Sequence, residues 1–170
     1  MNNTIFYIIF GVILMSTYVL PKYIYKNFNY DDLWVGIPHN WFNYTWMIFA
    51  AISFIIFYVI LIDKTLDDMY YLGYGLIIGA SIPWIFLTIL SLRSFGISRI
   101  IYKSLTLLCL GLVSAGSLII NVKLYENTNN WKMWLAFCAS IVFSIQTVIL
   151  DFLYWGYYFV KTDITINVEY

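Results

Sequence analysis

Residues 41–62 read WFNYTWMIFAAISFIIFYVILI, a run of 22 residues without a single charged side chain. The hydrocarbon core of a bilayer is about 30 Å thick, and about 20 helical residues cross it. Within that core each backbone N–H and C=O must find a partner inside its own segment, which a helix provides. This stretch therefore predicts a membrane-spanning α-helix.

Similar apolar runs recur on both sides of this stretch, separated by short polar segments at 63–68 and 126–130. They predict an all-α fold, a polytopic membrane protein built as a bundle of about five transmembrane helices. Residues 1–170 then form a single transmembrane domain, because no segment between the runs is long enough for a separate soluble domain. The predicted spans are residues 4–23, 41–62, 70–92, 97–124 and 131–160.

The composition agrees with a lipid environment. Apolar residues make up 62% of the chain and charged residues 11%, a balance that would leave large apolar patches on a soluble protein. The lipid bilayer is therefore the first predicted partner. The formal net charge is zero, which offers no basic surface to a nucleic acid, so no nucleic-acid partner is expected.

Positive charges predict the orientation, because Lys and Arg are enriched in short cytoplasmic loops. One side of the predicted bundle has Lys22, Lys26, Arg93, Arg99, Lys103 and Lys161, and the other has Lys64, Lys123 and Lys132. We therefore predict a multi-pass topology with the N-terminus outside and the C-terminus in the cytoplasm.

No catalytic motif stands out in the sequence. The chain has one histidine, His39, no nucleophile motif of the G-x-S-x-G type and no phosphate-cradling loop. We expect a non-enzymatic protein, and the sequence predicts no cofactor and no metal site.

A polar face is predicted on the last span. Ser140, Ser144, Thr147 and Asp151 follow one another at spacings of four, three and four, which aligns them along one side of a helix. A carboxylate in hydrocarbon is costly, so Asp151 must pair, be protonated or lie near water. One interpretation is a polar ligand site, with Gln146 contributing from the neighbouring face. In the other, Asp151 lies at the membrane interface because the last helix is long.

Small residues favour close helix packing at two places. Gly75 and Gly79 form a G-x-x-x-G in the third span, followed at the same spacing by Pro83. Gly111 and Ala115 have the same spacing in the fourth span. The Gly75/Gly79 face is the predicted surface for a homo- or hetero-oligomer.

The segment with Trp34, Pro38, His39, Trp41, Phe42 and Trp46 leads into the second span. It resembles the tryptophan- and proline-rich entry to the second helix of the tryptophan-rich sensory protein and translocator protein (TspO-like) family. W-L-A-F at 134–137 is similar to the start of that family's fifth helix, and Pro83 stands where the family has paired prolines. The resemblance implies five spans, a long first loop over a pocket, and a porphyrin- or sterol-like ligand.

Two functions follow from these patterns. In the first, the bundle binds or moves a small apolar ligand of the porphyrin, sterol or lipid type. The alternative is a structural or assembly protein of an organelle, cell envelope or virion membrane with no ligand of its own. A pocket predicts polar and aromatic residues at one depth, whereas an assembly protein predicts tight small-residue packing with grooves on the outer face. The candidate ligand-binding residues are Trp34, Trp41, Trp46, Trp84, Gln146, Thr147 and Asp151.

Overall fold

A computed structural model describes residues 3–25, 28–34, 36–38, 40–62 and 67–163, apart from the side chains of 3–8, 10, 14, 15, 18 and 40. His39 and the tail beyond Asp163 lie outside the described residues. The described part of the chain has no strand, and a short 3₁₀-helix, Tyr30–Trp34, lies between the first two long helices. The long helices are α1 (Asn3–Ile24), α2 (Asn40–Leu61), α3 (Asp68–Arg93), α4 (Gly96–Glu126) and α5 (Trp131–Lys161).

Four helices of the described part are long and apolar enough to cross a membrane, namely Trp41–Leu61, α3, α4 and α5. The first helix, α1, has 22 residues, which correspond to about 33 Å at a rise of 1.5 Å per residue. The predicted fold class, an all-α membrane bundle of about five helices, is confirmed.

Local capping explains where several helices begin. Asp67 precedes α3, and its carboxylate accepts a hydrogen bond from the Tyr70 N–H at 3.1 Å. Asn130 does the same for α5, with its side-chain oxygen 3.1 Å from the N–H groups of Lys132 and Met133. These side chains satisfy N–H groups that have no partner within the first turn of a helix. The polar segments that separate the predicted spans therefore also define the helix ends.

Helices α3 and α4 make the closest contact of the bundle through two glycines. A Cβ atom on Gly116 would lie 2.6 Å from the Gly73 carbonyl oxygen, and one on Gly73 would lie 2.9 Å from Ile120. Only residues without a side chain allow the two backbones to approach this closely. The predicted Gly75 and Gly79 are instead exposed, with no atom within 4 Å of a Cβ at either position.

The other neighbours follow from the helix contacts: α1 packs on α3, α4 packs on α5, and α2 packs on α5. Phe57 of α2 and Tyr74 of α3 meet in the core, with ring centroids 6.3 Å apart. Helix α5 therefore lies between α2 and α4, and its predicted polar face has a helix on either side.

Candidate functional site in the middle of the last helix

The predicted polar face of α5 is buried. Ser140, Ser144 and Thr147 are each at most 6% exposed. The Ser144 and Thr147 hydroxyl groups lie on the side of α5 that packs against α4. The Ser140 hydroxyl donates to the Phe137 carbonyl oxygen of its own helix at 2.8 Å. Polar groups removed from both water and lipid need partners inside the bundle.

The partners come from α4. The Ser117 and Thr147 hydroxyl oxygens are 3.0 Å apart, and the Ser114 hydroxyl donates to the Thr147 carbonyl oxygen at 2.8 Å. One turn further along α4, the Asn121 side-chain N–H donates to the Ser144 hydroxyl at 2.7 Å. We call these five residues the polar seam. It joins α4 to α5 through hydrogen bonds between side chains and backbone.

The middle of α5, Ile145–Trp155, is a π-helix. At its end the Gly156 N–H donates to the Asp151 carbonyl oxygen, five residues back. Residues five apart point about 140° away from each other in an α-helix of 3.6 residues per turn. The wider π-helical turn brings them together: the Gln146 amide N–H donates to the Asp151 carboxylate at 2.6 Å. The predicted contribution of Gln146 from a neighbouring face thus becomes a direct contact.

Asp151 lies opposite the middle of α4. Its neighbour Phe152 packs over Gly111, where an added Cβ would be 3.3 Å from the phenyl ring. Gly111 is the central residue of the range Gly96–Glu126. This contact places Asp151 beside the middle of α4 and not beside either end of that helix.

The Asp151 side chain is half-buried. Among the described residues no Lys, Arg or His nitrogen lies within 4.0 Å of its carboxylate. Its partner is the neutral Gln146 amide. An acidic side chain within an apolar helix without a cation beside it is costly, which makes Asp151 a candidate functional residue.

Two buried amide oxygens on α4 and α5 have no hydrogen-bond partner among the described residues. One belongs to Gln146, which holds Asp151, and the other to Asn121, which belongs to the polar seam. A buried polar atom without a partner costs about 1–3 kcal/mol. Such atoms indicate where a water molecule or the polar group of a ligand can bind.

An aromatic cluster lies one turn beyond Asp151. Trp155 is 2% exposed, stacks on Phe159 at 4.3 Å between ring centroids and meets Trp84 of α3 edge to face at 5.9 Å. Its indole N–H donates to the Leu33 carbonyl oxygen at 2.9 Å. These rings form the wall between Asp151 and the nearer end of the bundle.

Residues 28–34 and 36–38 cover that end, and we call them the lid. In it, Trp34 is buried and meets Tyr44 edge to face at 5.2 Å. The lid is fixed to α5 by the Trp155 bond and by the Tyr154 hydroxyl, which donates to the Pro38 carbonyl oxygen at 2.9 Å. Trp34 therefore belongs to the same apolar cluster as Trp84 and Trp155.

Trp41 and Trp46 have a different environment. Trp41 is 66% exposed, and the two indoles belong to a row of edge-to-face rings along the outside of α2 that includes Phe42 and Phe49. Of the predicted ligand residues, the structure thus brings Gln146 and Asp151 into contact. Thr147 bonds to α4 instead, and Trp34 and Trp84 belong to the cluster around Trp155.

One polar residue was missed by the sequence reasoning. Asn43 of α2 is fully buried, and neither its amide nitrogen nor its amide oxygen has a partner among the described residues. It lies in the first turn of α2, between the aromatic residues Phe42 and Tyr44. Only the packing of α2 in the bundle reveals the burial.

Comparison with known protein families, with curated proteins and with solved structures gives no match to this chain. The class of protein is therefore defined by its own features. It is an all-α, multi-pass integral membrane protein whose outer helix faces contact lipid. Its distinguishing feature is a carboxylate held by an amide in the middle of a π-helical turn.

Proposed function

We propose that this membrane protein binds a small, largely apolar ligand at Asp151 and Gln146, without catalysing a reaction on it. The observation that carries the proposal is the Gln146–Asp151 pair, opposite the middle of α4 on a π-helical segment. π-helical turns inside α-helices occur frequently at functional sites.

The free atoms of the site favour one kind of ligand group. The Gln146 N–H is already donated to the carboxylate, so the Gln146 oxygen and the remaining carboxylate oxygen are hydrogen-bond acceptors. A ligand with a hydroxyl or amine donor on an apolar body satisfies both requirements. A sterol or a long-chain alcohol has this chemistry, whereas the carboxylates of a porphyrin would repel Asp151.

The surroundings agree with such a ligand. Ile149 and Leu153, which flank Asp151, are exposed on the outside of the bundle, so an apolar molecule can approach from the lipid. Trp155 and Trp84 provide aromatic surface one turn away. The proposed resemblance to the tryptophan-rich sensory protein and translocator protein family implies sterol-like ligands as well, and the experiment below tests that expectation.

Energy transfer from tryptophan to a fluorescent sterol measures this binding in detergent or nanodiscs. We expect a saturable signal for the wild-type protein. Asp151→Leu removes the acceptor and should weaken binding roughly tenfold, since a hydrogen bond to a charged group contributes about 1.5–3 kcal/mol. Trp41→Ala, on the outer face of α2, is the matched control and should leave the dissociation constant unchanged.

A signal that rises linearly with sterol and never saturates would reject the proposal. So would equal dissociation constants for the wild type and Asp151→Leu. A protoporphyrin titration run in parallel distinguishes the ligand classes, because we expect weaker binding of the dicarboxylate.

The proposed orientation has the N-terminus outside and the C-terminus in the cytoplasm, on the basis of the Lys and Arg distribution. In a variant with both native cysteines replaced by Ser, Ser98→Cys should react with an impermeant thiol reagent from the cytoplasmic side and Asn129→Cys from the outside. The reverse pattern would invert the orientation, and labelling of both from one side would reject the topology.

A second candidate function, lateral assembly with another copy of this chain, rests on one observation. Gly75 and Gly79 form an exposed, unoccupied smooth face on α3, and such faces allow two membrane helices to approach closely. Two differently tagged copies should co-purify, and Gly75→Leu with Gly79→Leu should abolish this while each copy still folds. Co-purification that persists in the double variant would reject this interface.

A further inference from the structure

A second polar site, separate from Asp151, lies at the C-terminal end of α5. Here the first three turns of α4 and the end of α5 enclose an open groove of about 220 Å³. Two cations line it, Arg99 and Lys103, together with the apolar side chains of Leu107 and Val160. Basic and apolar surface thus meet in one groove between the start of α4 and the end of α5.

Both cations are held in place by backbone carbonyl groups. The Lys103 ammonium donates to the carbonyl oxygens of Val160 and Thr162, at 3.0 and 2.5 Å, and the residue is 8% exposed. The Arg99 guanidinium donates to the carbonyl oxygens of Ser94 and Asp163, at 2.7 and 2.9 Å. These partners position the cations but have no net charge, so they do not neutralise them.

Among the described residues one carboxylate lines the groove, and one guanidinium nitrogen has no hydrogen-bond partner. The Asp163 carboxylate is 4.0 Å from the Arg99 guanidinium and its side chain is 94% exposed, so it balances the two cations only in part. The second terminal nitrogen of Arg99 is buried and has no hydrogen-bond partner among the described residues. A guanidinium N–H without a partner can donate to an added acceptor, and phosphate oxygens match the geometry of Arg well.

We propose that this groove binds the phosphate group of an anionic membrane lipid. The phosphate accepts from Arg99 and Lys103, and an acyl chain follows the apolar surface of Leu107 and Val160 towards the bilayer. Basic pockets between membrane helices bind anionic headgroups in this way, and the cytoplasmic leaflet is rich in anionic lipids. The groove lies on the side that the charge distribution assigns to the cytoplasm.

Thermal unfolding of the purified full chain in a neutral detergent tests the proposal. Short-chain phosphatidylglycerol should raise the midpoint in a saturable way, whereas phosphatidylcholine and inorganic phosphate at the same concentrations should not. A rise with inorganic phosphate and none with phosphatidylglycerol would reject a lipid as the source. Equal rises in the unfolding midpoint with phosphatidylglycerol and phosphatidylcholine would show that the groove does not recognise the negative charge of the lipid.

Three variants locate the effect. Ser104→Glu places a negative charge in the groove without touching the bonds of either cation, and should abolish the response to phosphatidylglycerol. Ser98→Glu adds the same charge at the same end of α4 on a different face, and should retain it. Asp163→Asn removes the competing carboxylate and should tighten binding roughly fivefold, the factor for about one unit charge at a membrane surface. Equal responses of the two Glu variants would overturn the proposal.

Discussion

Helix α4 has two neighbours, and it meets them in opposite ways. Against α3 it uses Gly116 on Gly73, where backbone touches backbone. Against α5 it uses the polar seam, where Ser117 bonds to Thr147 and Asn121 to Ser144. The Asn121 amide oxygen has no partner in the part of the chain that the structure describes. The first contact is filled and has no room for a ligand. The second keeps hydrogen-bonding capacity that the bundle itself does not use, and the proposed site lies on that side.

The largest loss of stability is expected for a substitution at the α3–α4 contact. Gly116→Leu would place side-chain atoms where a Cβ alone lies 2.6 Å from a backbone oxygen. Overpacking in a core that can relax costs about 1–3 kcal/mol, and a backbone in a helix relaxes little. We expect a loss of at least about 3 kcal/mol, measured by reversible unfolding in mixed micelles.

Gly79→Leu is the matched control for this prediction. It lies on α3 with no atom within 4 Å of an added Cβ, so the free energy of unfolding should change little. Equal stabilities for the Gly116 and Gly79 variants would contradict the assignment of the close contact.

A smaller effect is expected at the α4–α5 contact. Thr147→Val keeps the shape of the side chain and removes the hydroxyl that lies 3.0 Å from the Ser117 hydroxyl. Hydrogen bonds between membrane helices contribute roughly 0.6 kcal/mol on average. Unfolding in mixed micelles should therefore show a loss of that order, and a loss as large as that of Gly116→Leu would contradict the contrast between the two contacts.

The smallest change in stability is expected at Asp67, the residue that caps the start of α3. The Tyr70 N–H bond to Asp67 holds the pKa of this carboxyl below its ordinary value, with help from Lys123 at 3.2 Å. Because the folded-state pKa is the lower one, this contribution to stability is present above the ordinary pKa of about 3.9 and is lost as the pH falls through the folded-state value.

Thermal midpoints of the wild type and Asp67→Asn between about pH 6 and 3 measure this cap. The difference between the two should shrink as the pH falls below about 4. Asp68→Asn, at the next position and also exposed, is the control. A difference from wild type that is constant over the whole range would show that the Asp67 charge does not stabilise α3.

The helices could be predicted closely, because hydropathy alone distinguishes lipid-facing runs from loops. The predicted span 70–92 agrees within two residues with the observed helix Asp68–Arg93. The predicted span 97–124 agrees equally well with the observed helix Gly96–Glu126. Which glycines form the helix contact could not be predicted. A G-x-x-x-G motif indicates a smooth helix face but does not show which neighbouring helix, if any, packs on it. Gly75 and Gly79 face outwards, and Gly73 with Gly116 forms the contact.

The depth of Asp151 was also hidden in the sequence. Counted along α5, this residue lies five positions beyond the middle of Trp131–Lys161, which suggested an interfacial position. The rings of Tyr125, near the end of α4, and Phe137 are 5.5 Å apart. The start of α5 thus extends beyond the end of α4, and Asp151 moves towards the middle of the bundle.

The pairing of Gln146 with Asp151 had no signal in the sequence at all. In an α-helix, residues three and four apart are neighbours, and a five-residue spacing predicts separate faces. The π-helical turn changes that register over Ile145–Trp155. Of the four residues predicted to share one polar face, Ser140, Ser144 and Thr147 are buried, whereas Asp151 is half-buried.

Photoaffinity mapping tests the central claim, a ligand site at Asp151 and Gln146, most directly. A sterol with a photoreactive diazirine is cross-linked to the protein in nanodiscs and the adducts are located by peptide mass spectrometry. We expect adducts within Ile145–Trp155 or on the facing turns of α4, lost on addition of excess unlabelled sterol and in Asp151→Leu. Adducts confined to the outer rings of Trp41 and Trp46, or spread over all helices and insensitive to competitor, would contradict the account.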